Sequence, residues 1–483
     1  MTINTPEWVR HAVFYQIFPD RFAATQHAGR PSHLEPWDAK PTTNGFKGGD
    51  LYGVIEKLDY LVDLGINAIY FNPLFQSTAN HRYHTHDFFR IDPVLGGDAA
   101  FDAMLAAAHK RKIRVVIDGV FNHASRGFYQ FNHALENGKD SPYLDWFHIR
   151  GFPLNAYDGM PNYAAWWNIP SLPKFNTDTP AVREFIWRCG EYWVERGIDG
   201  WRLDVPGEID DDAFWREFRR RVKAKNPECY IVGEIWHEAR RWLQGDQFDA
   251  VMNYVLTRDV IGFFSQGQWD QALTDGIGYA PVPKLDASEF AYGLNQTLGY
   301  YDKAINDVQF NLLDSHDTAR ALSIFKNDRD ALKMAMLCMM TLPGAPCVYY
   351  GDEIGMTGGK DPDCRRSFPW DAPESWDGDL REFTREAIKL RHKHRALRDG
   401  GFKVLFAEGN AVAYLRQAQD KSLVVAFNAS ANKAALDIHV HDALPHGARL
   451  KSVFGPEVRT RNQAGILERI TLPARTATVL LAH

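Results

Sequence analysis

Residues 197–205 read GIDGWRLDV. Trp201 and Leu203 are apolar and alternate with Arg202 and Asp204, which is the period of a β-strand. Two opposite charges on one face of an apolar strand are expensive to bury apart, so Arg202 and Asp204 are expected to pair. The same pattern, a short apolar run that ends in polar residues, recurs between residues 12 and 395. The runs are AVFYQIF, NAIYFNP, RVVIDGVF, GWRLDV, YIVGEIW, AVMNY, FNLLDSHD and APCVYYGDE. Between them lie stretches with apolar residues at helical spacing, among them 54–64, 99–112, 182–196 and 213–225. Eight strand–helix units in succession predict an α/β fold, a closed parallel (β/α)8 (TIM) barrel rather than a doubly wound sheet.

Two stretches depart from that alternation. Residues 122–172 are rich in Tyr, Trp, Asn, Gly and Pro and too long for an ordinary strand-to-helix loop, which predicts a small subdomain over the barrel mouth. From residue 399 the chain turns to short alternating runs such as AVAYLRQ and SLVVAFNAS, the pattern of a C-terminal antiparallel β-sandwich. The expected domains are the barrel (1–121 and 173–398), the inserted subdomain B after the third strand (122–172) and the β-sandwich (399–483).

The chain has 483 residues, 45% of them hydrophobic and 24% charged, the composition of a soluble globular enzyme. A net charge of −6 offers no basic field, so nucleic acid is not an expected partner. The N-terminal MTINTPEWVR lacks a basic stretch followed by an apolar one, so no signal peptide is expected. The longest apolar run, 334–340, falls far short of the roughly 20 residues of a membrane span and reads as a buried helix. Cys189, Cys229, Cys338, Cys347 and Cys364 are odd in number and show no CxxC spacing, which points to free thiols in a reducing cytoplasm and to no zinc site.

In such a barrel the carboxyl ends of the strands face the active site. There the sequence supplies Asp118, Asn122 and His123, then Arg202 and Asp204, then Glu234, then His316 and Asp317, then Asp352 and Glu353; the loop after the second strand adds HRYHTHD. Carboxylates, histidines and an arginine at one mouth suit glycoside cleavage, in which one carboxylate attacks the sugar carbon and another protonates the leaving oxygen.

The ordered motifs DGVFNH (118–123), LPKFN (172–176), GIDGWRLDV, GEIW (233–236) and DSHD (314–317) resemble those of the α-amylase family of glycoside hydrolases, and the resemblance spans essentially the whole chain. It implies Asp204 as nucleophile, Glu234 as general acid/base and Asp317 as the third carboxylate, which binds hydroxyls of the distorted sugar. Arg202 would orient Asp204 and keep it ionised, His123 and His316 would hydrogen-bond the sugar, and Tyr83 would stack on it with His81 alongside. The stretch GDEIGMTGGKDPDCRRSFPW (351–370) is similar to cyclomaltodextrinases, neopullulanases and maltogenic amylases; it implies that Asp361 and Arg365 hold the sugar on the non-reducing side. No cofactor and no required metal are implied, because the loop after the first strand has almost no oxygen ligands besides Asp50.

Departures from these relatives bear on specificity. Many of them carry an N-terminal β-domain that pairs subunits and shapes the cleft; here the first strand begins almost at once, so neither the usual homodimer nor the usual cleft is assumed. Glu208 stands where starch amylases place a Lys-His pair, as a leaving-side contact or a helix cap. Trp166 and Trp167 either line the cleft or seal the core of the inserted subdomain. The expected function is a cytoplasmic retaining α-glucan hydrolase that cleaves α-1,4 and, as a further option, α-1,6 bonds of cyclodextrins and short maltooligosaccharides and releases maltose-sized products. The alternatives are a specialised hydrolase of a cyclic mixed-link maltosyl-maltose tetrasaccharide and a non-catalytic sugar-binding or partner subunit.

Overall fold

The computed structural model describes residues 3–419, 421–441, 443–468 and 470–483. Met1 and Thr2 of the N-terminal stretch, and Arg469 at the head of the run RITLPARTATVLLA, lie outside the described residues. Eight parallel strands follow one another around a barrel: Phe14–Ile17, Ala68–Phe71, Arg114–Gly119, Gly200–Leu203, Tyr230–Gly233, Ala250–Val251, Phe310–Asn311 and Ala345–Tyr349. The first pairs with both the second and the eighth, Phe14 lying opposite Ala68 on one side and Cys347 on the other.

The seam lies between the sixth and seventh strands, where a single parallel bridge joins Met252 to Phe310. The sixth strand is short because Asn253 immediately caps the helix Tyr254–Phe264, its side chain accepting from Leu256 N. Side chains complete the pairing there. Gln309 Oε1 accepts from Val251 N at 2.9 Å, and Asn253 donates to Asn311 Oδ1 at 2.9 Å. The helices expected from apolar spacing form at Leu51–Leu64, Gly97–Lys110, Pro180–Glu195 and Asp212–Lys225. Asp50 and Asp211 cap two of them by accepting from Gly53 N and Phe214 N.

Inside the barrel the rings of Phe14, Tyr230, Phe310 and Tyr70 meet at 5.0–6.0 Å and are fully or almost fully buried. They form an apolar floor, and the Arg202 guanidinium lies 5.9 Å from the Tyr70 ring centre. After the third strand the chain makes a short helix, Tyr129–Asn137, and several single 3-10 turns. Isolated bridges such as His123–Lys174 and Ala165–Pro173 tie this segment to the LPKFN stretch. Its interior is aromatic, with Phe131 4.9 Å from both Phe147 and Tyr163.

The C-terminal region is antiparallel, in the order Gly401–Glu408, Ala411–Ala418, Lys421–Asn428, Thr476–Ala482, Arg449–Phe454, Arg459–Gln463, Ile466–Leu467. A second small sheet pairs Ala434–Leu436 with Ile470–Leu472. The period-2 alternation of LVVAF sorts the two faces: Leu423, Val425 and Phe427 join the barrel's core, while Val424 and Ala426 join a separate core with Leu436, Ile470 and Leu472. Two arginines at the join of barrel and sheet are fully buried, and Arg416, on a sheet strand, makes the bonds across it. Arg416 donates to the carbonyls of Thr341, Leu397, Gly400 and Gly401, and Arg391 to those of Met340, Leu342, Gly344 and Leu397. Arg416→Ala takes the side-chain donor from the carbonyls of Thr341, Gly400 and Gly401 and one of two from Leu397, and is expected to destabilise the protein by roughly 2–4 kcal/mol, read as a fall in the denaturant midpoint. An unchanged midpoint would mean that the seam holds without it.

Candidate active site

Strand register builds the site. Asp118 pairs with Arg202 across the third and fourth strands, and Leu203 with Gly233 across the fourth and fifth. Asp204 and Glu234 are each one residue beyond that last pair, so they leave adjacent strands at the same height. Neighbouring strands are about 4.8 Å apart, a spacing compatible with the roughly 5–5.5 Å between the carboxyl groups of retaining glycosidases.

Arg202, 1% exposed, joins these groups. Its Nη1 donates to both oxygens of Asp118 at 2.9 Å and to Asp204 Oδ1 at 3.0 Å. Its Nη2 lies 3.0 Å from Glu234 Oε2 as an ion pair without hydrogen-bond alignment. The expected Arg202–Asp204 pair is therefore present, but the guanidinium is shared among three carboxylates. Burial pushes Asp118 and Asp204 above the ordinary carboxylate range; Arg202 opposes this without cancelling it, because one positive charge serves all three.

The turn after Asp204 is conformationally unusual. Val205 has φ 36° and ψ 49°, a left-handed conformation that a β-branched residue before a proline strongly disfavours. That conformation aims Val205 N at Glu234 Oε2, 3.0 Å away. The other oxygen, Oε1, accepts from the Trp236 indole at 3.0 Å. Oε2 is thus held by a cation and an N–H, and Oε1 by an indole N–H alone.

Asp317 completes the mouth, with 30% of its side chain exposed. His316 Nε2 lies 3.1 Å from its Oδ2 and Arg365 Nη2 3.4 Å from its Oδ1. Arg365 also donates to the His316 carbonyl at 2.9 Å and pairs with Asp361 at 2.9 Å. Gln16 donates one amide hydrogen to Asn72 and the other to His316 Nδ1, both at 3.0 Å, so the His316 hydrogen sits on Nε2, facing Tyr83 and Asp317. Burial lowers His81 and His316 well below the ordinary imidazole value and His123 to about 3, so all three are neutral hydrogen-bonding groups near pH 7. The partly exposed Tyr83 ring lies beside His81 and His316 at 5.8 and 5.5 Å, and its hydroxyl donates to Asp118 at 2.9 Å.

The structure therefore gathers Asp204, Glu234, Asp317, Arg202, Tyr83, His81, His316, Arg365 and Asp361 into one network, with His123 linked through the Tyr83 carbonyl at 3.3 Å. Asp352 and Glu353 do not join it. Asp352 is buried against Arg320 at 3.0 Å, and Glu353 accepts from Tyr15 and Tyr60 at 2.8 and 2.7 Å. Both follow the eighth strand in a 3-10 turn, Asp352–Ile354, that turns them behind the barrel wall. Glu208 is neither a helix cap nor free. Lys174 donates to its carbonyl at 2.7 Å and meets its carboxylate at 3.4 Å, clipping the LPKFN stretch to the turn after Asp204. Asp50 is committed as a helix cap and to Thr25. Sequence reasoning assigned no role to Tyr70, Gln16, Val205 or Trp236. Tyr70 was accessible in principle, since it shares the inward face with Asn72 two residues on.

The chain matches two family profiles, "Alpha amylase, catalytic domain" over residues 16–394 and "Neopullulanase-like, C-terminal domain" over residues 402–480. A cyclomaltodextrinase from Bacillus sp is 47% identical over 427 residues, which is 88% of this chain and 73% of that one. A solved debranching enzyme from Nostoc punctiforme superposes with a TM-score of 0.92 at 46% identity, covering 99% of this chain and 100% of that one. A cyclic α-maltosyl-(1→6)-maltose hydrolase from Arthrobacter globiformis superposes at 0.88 with 35% identity, covering 99% and 100%.

Burial, followed by the charge of Glu234, pushes the Asp317 carboxyl from 3.8 up to about 7. An acid raised on folding holds its proton more tightly in the folded state. Its stabilising contribution is full below about 3.8 and is lost as pH rises through about 7. Asp317→Asn escapes that loss and is expected to melt above the parent at pH 8, by roughly 1–4 °C, with the difference gone by pH 4. Equal melting temperatures at pH 8 would contradict the raised carboxyl.

Proposed function

The chain belongs to the α-amylase family of glycoside hydrolases, and from that premise we propose that its barrel mouth cleaves short and cyclic maltooligosaccharides by double displacement. It is an enzyme that hydrolyses glucosidic bonds of α-glucans. The observation that carries the assignment of roles is the pair Asp204 and Glu234, level on adjacent strands and tied to one buried guanidinium.

In this reading Arg202 holds Asp204 Oδ1 and leaves Oδ2 to attack the anomeric carbon. Glu234 gives its proton to the leaving oxygen, and the sugar becomes an ester of Asp204. Glu234 then takes a proton from water, which attacks the same carbon, frees Asp204 and restores the configuration. Asp317 accepts from sugar hydroxyls, His123 and His316 offer neutral donors and acceptors, and Tyr83 with His81 lines the bound ring. Asp361 and Arg365, a pair at 2.9 Å anchored beside Asp317, hold the next sugar on the non-reducing side. The reading assigns catalysis to residues 1–121 and 173–398, cleft shaping to 122–172, and covering of the barrel to 399–483. A cytoplasmic setting is proposed from five buried unpaired thiols.

A second reading, hydrolysis of a cyclic maltosyl-(1→6)-maltose, is supported by the end-to-end match with the Arthrobacter globiformis enzyme. A product time course on β-cyclodextrin, pullulan, soluble starch and that mixed-link ring separates the two. Opening of β-cyclodextrin to maltose and glucose is expected, and Glu234→Gln is expected to lower kcat by roughly 10²–10⁴-fold in a protein with unchanged melting. Cleavage confined to the mixed-link ring would select the second reading, and no cleavage of any of them by folded enzyme would overturn both.

A further inference from the structure

We propose that Trp167 is a stacking platform for an α-glucan chain, holding a glucose unit outside the sugars bound around Asp204 and thereby setting the preference for longer over shorter chains. The proposal rests on the glycan-cleaving reading of the barrel mouth and extends it outward.

Three rings form a continuous ladder from the site to solvent. His123 stacks on Trp166 with centroids 5.6 Å apart and planes at 28°; Trp166 stacks on Trp167 at 4.6 Å and 8°. Trp166 covers one face of the outer indole. Trp167 is nevertheless 77% exposed, more than any other large hydrophobic residue among the described residues, so its second face is open. The inner end of the ladder is His123, which reaches the Tyr83 carbonyl within the catalytic network. The ladder therefore neither stops at a buried core nor stands apart from the chemistry.

The backbone beneath it carries strain. Trp167 and Asn168 both have left-handed φ values, 50° and 58°, in succession. Residues with a Cβ disfavour that region, and an indole left in water gains no burial in return. The turn is held in place nonetheless: Trp166 N donates to Leu172 O, Asn168 N to Ala165 O and Ile169 N to Trp166 O at 3.0–3.1 Å, and Ala165 bridges Pro173. It also leads directly into LPKFN, whose Lys174 bridges His123. A rigid, strained turn that presents an open aromatic face beside a glycan site has the form of a preorganised contact. The C–H face of a glucose ring is the complementary surface for the electron-rich face of an indole. Four of the six exposed large hydrophobics among the described residues, Tyr129, Tyr157, Met160 and Trp167, lie in this inserted segment. Of these, Trp167 is the one joined by rings to the site.

The test compares kcat/KM for maltoheptaose and maltotriose in the full chain and in Trp167→Ala. The expected result is a roughly 5–20-fold loss on maltoheptaose, carried by KM, with maltotriose within about twofold, and recovery of most of the loss in Trp167→Phe. In Glu234→Gln, titration with maltoheptaose should quench tryptophan fluorescence, and the added Trp167→Phe should remove most of the quench. Equal losses on both sugars, no change on either, or a changed sedimentation coefficient with unchanged length preference would overturn the platform. An inactive parent whose quench still depends on Trp167 would refute the catalytic reading and leave the platform standing.

Discussion

One guanidinium meets three carboxylates at the mouth of the barrel, and the rest of the site is arranged around that imbalance. Arg202 lies about 3 Å from Asp118, Asp204 and Glu234 above a floor of aromatic rings. A charge so placed cannot be left unpaired, and three carboxylates in the same space cannot all ionise at ordinary cost. Asp118, held by two tyrosine hydroxyls as well as by Arg202, fixes the position of the cation. Asp204 and Glu234 are then placed by a charge that is itself immobile.

Support comes from groups that add no charge. The imidazoles of His81, His123 and His316 are held neutral by burial, so they offer hydrogen bonds without disturbing the balance around Arg202. Gln16 and Asn72 fix the tautomer of His316 from below. Left-handed backbone at non-glycine residues includes the turn at Val205 beside the carboxylate pair and the one at Trp167–Asn168. The first aims an amide at Glu234 Oε2, and the second leaves an indole face open to solvent.

The larger architecture keeps these positions fixed. Closure at the seam of the barrel depends on the side chains of Gln309, Asn253 and Asn311 because the backbone contributes only one bridge there. The C-terminal sheet is fastened to the barrel by Arg416, which bonds only to carbonyls, a contact that is directional and dry. The Lys174–Glu208 clip links the LPKFN stretch, which is bridged to the inserted segment at His123, to the turn that carries Asp204.

The sequence by itself determined the strand–helix alternation, the eightfold barrel, the inserted segment, the alternating C-terminal strands and the identity of the carboxylates at the strand ends. These are local properties: a period of 2 or 3.6, a run length, a charged residue two positions from another on one face. Only the tertiary structure decided which strand-end carboxylates share the site. Asp352 and Glu353 read from sequence like Asp204 and Glu234, yet one 3-10 turn sends them behind the wall. The partition of the Arg202 charge depends on register between strands about 84 and about 30 residues apart, the aim of Val205 N at Glu234 on strands about 30 apart, and the Trp166–Trp167 stack on His123 on chain segments about 43 residues apart. No local pattern encodes such contacts, because they are set by how the barrel closes rather than by which residues are neighbours in the chain.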